Sequence, residues 1–262
     1  MKLVEIGKDT EGTFFRCMHD ERPENPGETQ LRRRWYEKYK TKGLRAKVLL
    51  NNDDKVVGLC QYLPIEHSNL LGENLFTILC IAIHGYEHLI GNQQGKGYGK
   101  FMLNCIEQDA KDSGAIGIAV RADEFPEQPK FSSAPFYDHM GYSRLEKRGF
   151  EVLVWKPFAK NAQAPSLLHP NRTPTKSPEK NKLTVFSNGW CMIDCRNCNS
   201  ARNAVVGIEN QVIYEEIDTS ERANMLSHGI EEGVFLNGSP FKNFGDRWTS
   251  EELRDELLRL SK

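Results

Sequence analysis

The sequence predicts an α+β protein in two parts: a mostly antiparallel sheet with helices over residues 1–158, and a smaller α/β domain over residues 182–262. Three observations carry this. Runs of branched and aromatic residues separated by polar turns fill the first part. A glycine-rich loop opens an apolar-periodic helix in its middle. A stretch rich in Pro, Lys, Asn, Ser and Thr, residues 159–181, reads as an extended linker before a differently patterned second part. At 262 residues the chain also exceeds one ordinary compact domain, at roughly 100–200 residues apiece.

In the first part, LRAKVLLN (44–51), KVVGLCQYLPI (55–65) and NLFTILCIAI (74–83) are three strands bounded by Asn, Asp or Gly. The next segment, GKGYGKFMLNCIEQDAKDSG, places Phe101, Met102, Cys105, Ile106 and Ala110 at helical spacing, with Gly114 as a stop. AIGIAVRA (115–122) is a further strand, and FEVLVWKPF (150–158) closes the sheet after a short helix. A helical region precedes the first strand, which gives a layered α+β order.

Composition excludes several classes. Formal charge is −1, so no global positive field gathers nucleic-acid phosphates. The longest apolar stretch, Leu75 to Ile83, falls short of the roughly 20 residues that span a bilayer, and the first residues lack a signal-peptide core. A cytoplasmic chain is expected, in keeping with scattered thiols and no disulfide framework. Oligomeric state is not legible. The basic run from Leu31 to Lys47, with Arg32, Arg33, Arg34, Lys38, Lys40, Lys42, Arg45 and Lys47, reads as a solvated helix face or as a guide for an acidic ligand.

The segment Gln94, Gly95, Lys96, Gly97, Tyr98, Gly99, Lys100 follows a strand and opens a helix. A helix start presents unpaired N–H groups and the positive end of the dipole, and glycines let a phosphate approach that backbone. The spacing matches neither of the two common nucleotide-binding glycine motifs. It does match Gln-x-x-Gly-x-Gly through Gln94, Gly97 and Gly99, and Ala134-Pro135-Phe136-Tyr137-Asp138-His139-Met140-Gly141-Tyr142 matches an FYxxxGF segment before the closing strand. On these residues the first 158 positions resemble the GNAT superfamily of acyl-CoA-dependent N-acyltransferases. The resemblance implies acetyl-CoA as cosubstrate, its pyrophosphate on the loop amides, and its pantetheine arm along strand backbone near Ile81 and Ile83. One departure is HGYEHLIGNQ (84–93), longer than the usual passage from strand to loop.

Acyl transfer to an amine requires a neutral nucleophile, support for the oxyanion and a proton for the departing thiolate. By the resemblance, Tyr137 is the acid. Candidate bases are Glu87 and His84 first, then His88, Glu66 and His67, with a water relay equally open. The acceptor is an amine of a small molecule or peptide, shaped by the N-terminal helices and the 124–133 loop. The competing expectation is a module that holds acyl-CoA without chemistry, its C-terminal domain docking a partner or sensing redox state.

After the linker, LTVFSNGWCMIDC begins as a strand. A helix over Ala201–Val206, strand QVIYEEID (211–218), a capped helix from Thr219 to His228, strand GVFLNG (233–238) and helix TSEELRDELLRL (249–260) follow. Thr249 opens a T-x-x-E capping box. This order resembles a thioredoxin-like fold, and the whole arrangement is similar to the YoaP-like proteins. Two departures stand out: the cysteines run Cys191, Cys195, Cys198 rather than C-x-x-C from the first, and Gly233 stands where a proline is expected. The three thiols are candidates for a redox pair, for a bound metal with His228 available as a further ligand, or for structural burial. Too few residues follow Cys198 for the barrel that a radical iron-sulfur enzyme would need.

Overall fold

The computed structural model describes residues 1–18, 25–125, 132–242 and 248–260. The chain divides into two compact units, Met1–Pro23 with Lys38–Leu167, and Glu24–Glu37 with Leu168–Lys262. The stretch expected as a linker is shared between them, and its Ser166–Leu167 pairs as a short strand with Leu70–Leu71 in the first unit. Leu167 is buried there, which ties the segment to the sheet domain by apolar contact.

In chain order the elements are β1 (Lys2–Glu5), α1 (Glu11–Arg16), α2 (Pro26–Tyr39), β2 (Arg45–Leu50), β3 (Val56–Pro64), β4 (Leu70–Leu71), β5 (Phe76–Ile83), α3 (Tyr98–Asp112), β6 (Gly117–Asp123), α4 (Ala134–His139), β7 (Ser143–Arg148), β8 (Glu151–Pro157) and β9 (Ser166–Leu167). The sheet of the first unit has the order β1-β2-β3-β5-β6-β8-β7. Among the described residues each of its pairings is antiparallel except β5 with β6. The strand β1 precedes the helices, and β7 inserts before β8; both escaped the sequence reading because KLVE and SRLEKR are short or charged sheet-edge segments with few buried side chains.

The core of this unit lies between the sheet and α3. Met102, Leu103, Ile106 and Ala110 pack against Tyr62, Ile78, Ile81, Ile118 and Val120, with Ala134 and Tyr137 of α4 in the same cluster. Two polar links pin α3 to strands on either side. Tyr62 donates its hydroxyl to Asp109 at 2.5 Å, beside Lys47 and Arg45 at 3.4 Å. Lys156 donates to the buried Glu107 at 2.9 Å. Arg45 and Lys47, taken from sequence as part of a basic run, thus serve the core.

The second unit adds β10 (Asn181–Ser187), α5 (Met192–Val205), β11 (Val212–Asp218), α6 (Arg222–His228), β12 (Gly233–Leu236), β13 (Ser239–Pro240) and α7 (Ser250–Leu260). Its sheet runs β11-β10-β12-β13, with β10 and β11 parallel and β12 antiparallel to both β10 and β13. Helix α2, as far as Glu37, belongs here: Leu31 packs on the core formed by α5, α7 and the sheet, and Trp35 sits against Gly189. Arg32 is 1% exposed, so this part of the basic run is not a solvated face.

Two expectations for this unit change and a third holds. The helix after the first strand begins at Met192 rather than Ala201, because Met192, Cys195, Cys198 and Ala201 form an apolar stripe once the cysteines count as hydrophobes. Thr219 does not cap α6; its hydroxyl donates to the carbonyl of Glu231. The box at Thr249 forms in full: Thr249 N donates to Glu252 Oε2 at 2.7 Å and Glu252 N to Thr249 Oγ1 at 3.2 Å.

Candidate active site

Strand β5 supplies the framework. It carries a bulge: Gln61 faces Cys80 and Tyr62 faces Ile78, so Leu79 is an extra residue. Its pairing with β6 covers only Phe76–Ile78 against Ile118–Val120. Beyond the bulge the two parallel strands part. His84 N still donates to Val57 O of β3 at 3.0 Å. Because backbone direction alternates along a strand, Ile81 and Ile83 then turn their N–H and C=O groups away from β3, into the gap. The side chain of Gln94 reaches this edge from the loop, donating to Ile83 O at 3.3 Å.

The gap leads to the start of α3. Gly95 and Gly97 have φ of +77° and +80°, a region that L side chains rarely enter, and no atom lies within 4 Å of where a Cβ would stand on either. Gly97 is the N-cap, without a side-chain cap bond, and no acid sits in the first turn. The amides of Tyr98, Gly99 and Lys100 therefore belong to a helix start that offers donors and positive potential. Lys96 and Lys100 are exposed, and Lys96 Nζ donates to Gln93 Oε1 at 3.0 Å. Gly99 permits the approach of Phe136, 3.5 Å from a notional Cβ.

Tyr137 is fully buried, in the cluster that also holds Ile78 and Ile81. Its hydroxyl lies 3.3 Å from Ser132 Oγ. Burial pushes the phenol well above its ordinary range, and the charge of Asp123 adds to this, so the group is held protonated.

His84 is 3% exposed and its Nδ1 lies 3.0 Å from Gly91 O. A carbonyl only accepts, so Nδ1 carries the hydrogen and Nε2 is the bare, basic nitrogen of the neutral ring. That Nε2 is buried with no hydrogen-bond partner among the described residues. The longer passage of residues 84–93 folds over it: His88 and Tyr86 place their rings 5.3 and 5.9 Å from the His84 ring, and Gln93 N donates to His84 O. Glu87 is exposed. Glu66 accepts from Asn74 N at 2.7 Å, a turn-forming role, and the His67 ring stands 6.1 Å from that of Tyr39.

Asp123 at the end of β6 and Ser132 in the loop before α4 were not singled out from sequence. Asp123 N donates to Ser132 O at 2.9 Å, joining the strand end to the loop that carries Ser132. Burial pushes the Asp123 carboxyl up to about 6, against the lowering effect of Arg121 and with Glu151 adding to the rise. The available signal was an acid placed directly after an apolar strand, AIGIAVRAD. Residues 126–131 of the loop expected to shape the acceptor pocket lie outside the described residues.

The cysteine cluster is arranged differently. Cys191 is the half-buried N-cap of α5, whereas Cys195 and Cys198 are fully buried. Burial, then the neighbouring Asp194, raise both buried thiols, which holds them protonated and slow to react. Among the described residues no group of three or more His, Cys, Asp or Glu side chains is placed to hold a metal ion, and His228 hydrogen-bonds within its own helix through Asn224 O. No helix there is long and apolar enough to cross a membrane.

Similar solved structures include a GNAT-family acetyltransferase from Staphylococcus aureus, at 14% identity over 60% of this chain and 99% of that one, with a TM-score of 0.43. The PaiA N-acetyltransferase from Thermoplasma acidophilum, in complex with coenzyme A, is 12% identical over 60% of this chain and 98% of its own, with a TM-score of 0.41. A spermidine N-acetyltransferase chimera from Vibrio cholerae is 15% identical over 61% and 98%, with a TM-score of 0.44. No curated protein matches the chain. Residues 13–142 match the model of the Acetyltransferase (GNAT) family.

Proposed function

We propose that the first unit transfers an acetyl group from acetyl-CoA to an amine of a small molecule or peptide, by direct attack in a ternary complex. The observation that carries this reading is the open edge of β5, which leads to an uncapped, glycine-lined helix start. An extended pantetheine arm would pair with the backbone of Ile81 and Ile83 as an added strand does. Its pyrophosphate would then meet the amides from Gly95 to Lys100, with Gln94 bracing the loop and Lys96 and Lys100 adding charge.

The side chains suit the proton steps. Tyr137, kept protonated by burial, serves as donor to the departing sulfur. Of the two leading bases, His84 is favoured over Glu87, because its Nε2 is bare, buried and unpartnered while Glu87 is exposed. We read the second unit as thioredoxin-like, supported by the order β11-β10-β12-β13 and the α5 crossover between parallel strands. We assign it a docking or substrate-shaping role, since its two buried thiols are poor nucleophiles. A cytoplasmic setting accords with seven free thiols.

Calorimetric titration with acetyl-CoA, followed by thiol release over an amine panel, tests the reading. Binding with amine-dependent release is expected. Absence of binding would sink it, and binding without release from any amine would favour an acyl-CoA-holding module.

A further inference from the structure

Asp123 ends β6, and His84 follows the end of β5; the two strands are parallel, so both residues stand at the same end of the sheet. They also share a face. Ile118, Val120 and Ala122 of β6 and Ile81 of β5 point into the α3 core, and alternation puts Asp123 and His84 on the opposite side, flanking the gap. On that side no counter-ion pairs with Asp123 among the described residues. Arg121, the cation on its own strand, pairs with Glu151 of β8 at 3.4 Å, and Glu151 is also held by Arg148 at 2.7 Å. Tyr137 of α4 lies in the α3-side cluster and, held protonated, brings no positive charge. Among the described residues the Asp123 carboxylate makes no ion pair and no hydrogen bond. The neighbouring Ser132 adopts φ of +35°, an uncommon conformation for a residue other than glycine, and in it places its carbonyl on Asp123 N and its hydroxyl on Tyr137.

A half-buried carboxylate without a cation is costly, which is why it takes up a proton so readily. A cation supplied from outside would relieve that cost where the acyl group is presented. Resting on the acetyltransferase reading, we propose that Asp123 binds the ammonium group of the acceptor, and that the acceptor is therefore a cationic alkylamine rather than a neutral arylamine. The ammonium pairs with Asp123 and yields one proton to His84 Nε2. The freed nitrogen lone pair forms the N–C bond to the acetyl carbon as the C–S bond breaks, and the sulfur keeps that electron pair. The second nitrogen proton is lost to solvent, while Tyr137 protonates the thiolate and is reprotonated in turn. The net change is ammonium plus thioester to amide, thiol and one released proton.

The test compares the full chain with Asp123→Asn, using primary alkylamines with one to three amino groups and anilines, which are neutral at pH 7.5. Acetyl-CoA affinity, measured without amine, is expected to stay unchanged. For alkylamines KM is expected to rise about 10–100-fold, the loss of a charged hydrogen-bonded partner, with kcat changed much less and anilines little affected. A residue with a merely structural role would lower stability on substitution. Here the variant is expected to melt no lower than wild type at pH 5 and higher at pH 8, because it lacks a charge that costs folding energy only when ionised. Equal losses for alkylamines and anilines would overturn the proposal, as would a wild-type chain that binds acetyl-CoA but acetylates no alkylamine. Failure to bind acetyl-CoA is read in the amine-free titration and removes the acetyltransferase reading together with this one.

Discussion

Two helices in this chain follow a strand and a glycine-containing turn, and the turns that lead into them are built in opposite ways. At α3 the N-cap is Gly97, no side chain caps the amides and no acid lies in the first turn. At α5 the N-cap is Cys191, also without a side-chain cap bond, but the turn that leads into the helix is closed by side chains. Asn188 Oδ1 accepts from Trp190 N and Cys191 N, while Asp194 Oδ2, from the first turn itself, accepts from Asn188 N at 2.9 Å. At the first helix start no acid offsets the positive potential; at the second Asp194 sits in the first turn and ties down the preceding turn through Asn188 N. Sequence motifs alone rank these places similarly, since each joins reactive residue types to a helix start. Satisfaction of the polar groups separates them.

The strongest way to break this contrast is Gly97→Glu. A Cβ at Gly97 meets no neighbour, so the fold should survive, at a cost of roughly 1–2 kcal/mol for the left-handed backbone. The carboxylate would stand where an anion belongs and should abolish detectable acetyl-CoA binding by calorimetry. Unchanged affinity in a folded variant would mean that the open turn at α3 is an ordinary loop.

Next in size is Tyr137→Phe. The ring is part of the core and stays, while the hydroxyl near Ser132 is lost. Turnover should fall by about 10²–10⁴-fold, the usual contribution of a positioned acid, with acetyl-CoA affinity nearly unchanged. Wild-type kcat would leave Tyr137 as packing alone.

Much of the first unit was readable because its strands are long apolar runs and its loop is spelled in glycine. The α5 boundary was not, since MIDCRNCNSARNAV mixes cysteine, acid and amide residues whose burial only tertiary packing decides. The same holds for Arg32, a charge in a basic run that packing on the second unit buries. At the site, the glycine loop was legible from its spacing and Tyr137 through the family resemblance, but the open β5 edge was not. It depends on a one-residue bulge and on where β6 stops pairing, and neither leaves a compositional mark. Asp123 was hidden for a related reason: an acid after an apolar strand looks like a solvated turn until its burial, with no ion pair among the described residues, is seen.

The α5 side of the comparison is sharpened by pH. Burial pushes the Asp194 carboxyl up to about 7, and the nearby Glu231 adds to the rise. Its folded value lies above that of an unfolded carboxylate, about 3.9, so the folded state favours the protonated form. Stability should therefore fall as pH rises from about 4 to about 7 and level off above. Asp194→Asn keeps an acceptor for Asn188 N and removes the charge, so its denaturation midpoint should vary less over that window. Parallel curves for the two proteins would show an Asp194 already ionised in the fold, and the self-satisfied turn would then resemble the open one more closely.

The smallest expected effect falls on α7, where the sequence and the structure agree bond for bond. The reciprocal pair between Thr249 and Glu252 is exposed, so water can replace part of what it provides. The helix also buries Leu253 and Leu257, and that packing, untouched by the change, supplies most of its stability. Thr249→Ala should thus lower stability by about 1 kcal/mol, the ordinary value of an N-cap hydroxyl, and leave the fold intact. Acetyl-CoA affinity should not change, because α7 belongs to the second unit and the glycine loop to the first. A loss of acetyl-CoA binding in a variant that still melts cooperatively would overturn the division of labour drawn between α3 and α5, since it would make a surface cap in one unit a determinant of the ligand site in the other.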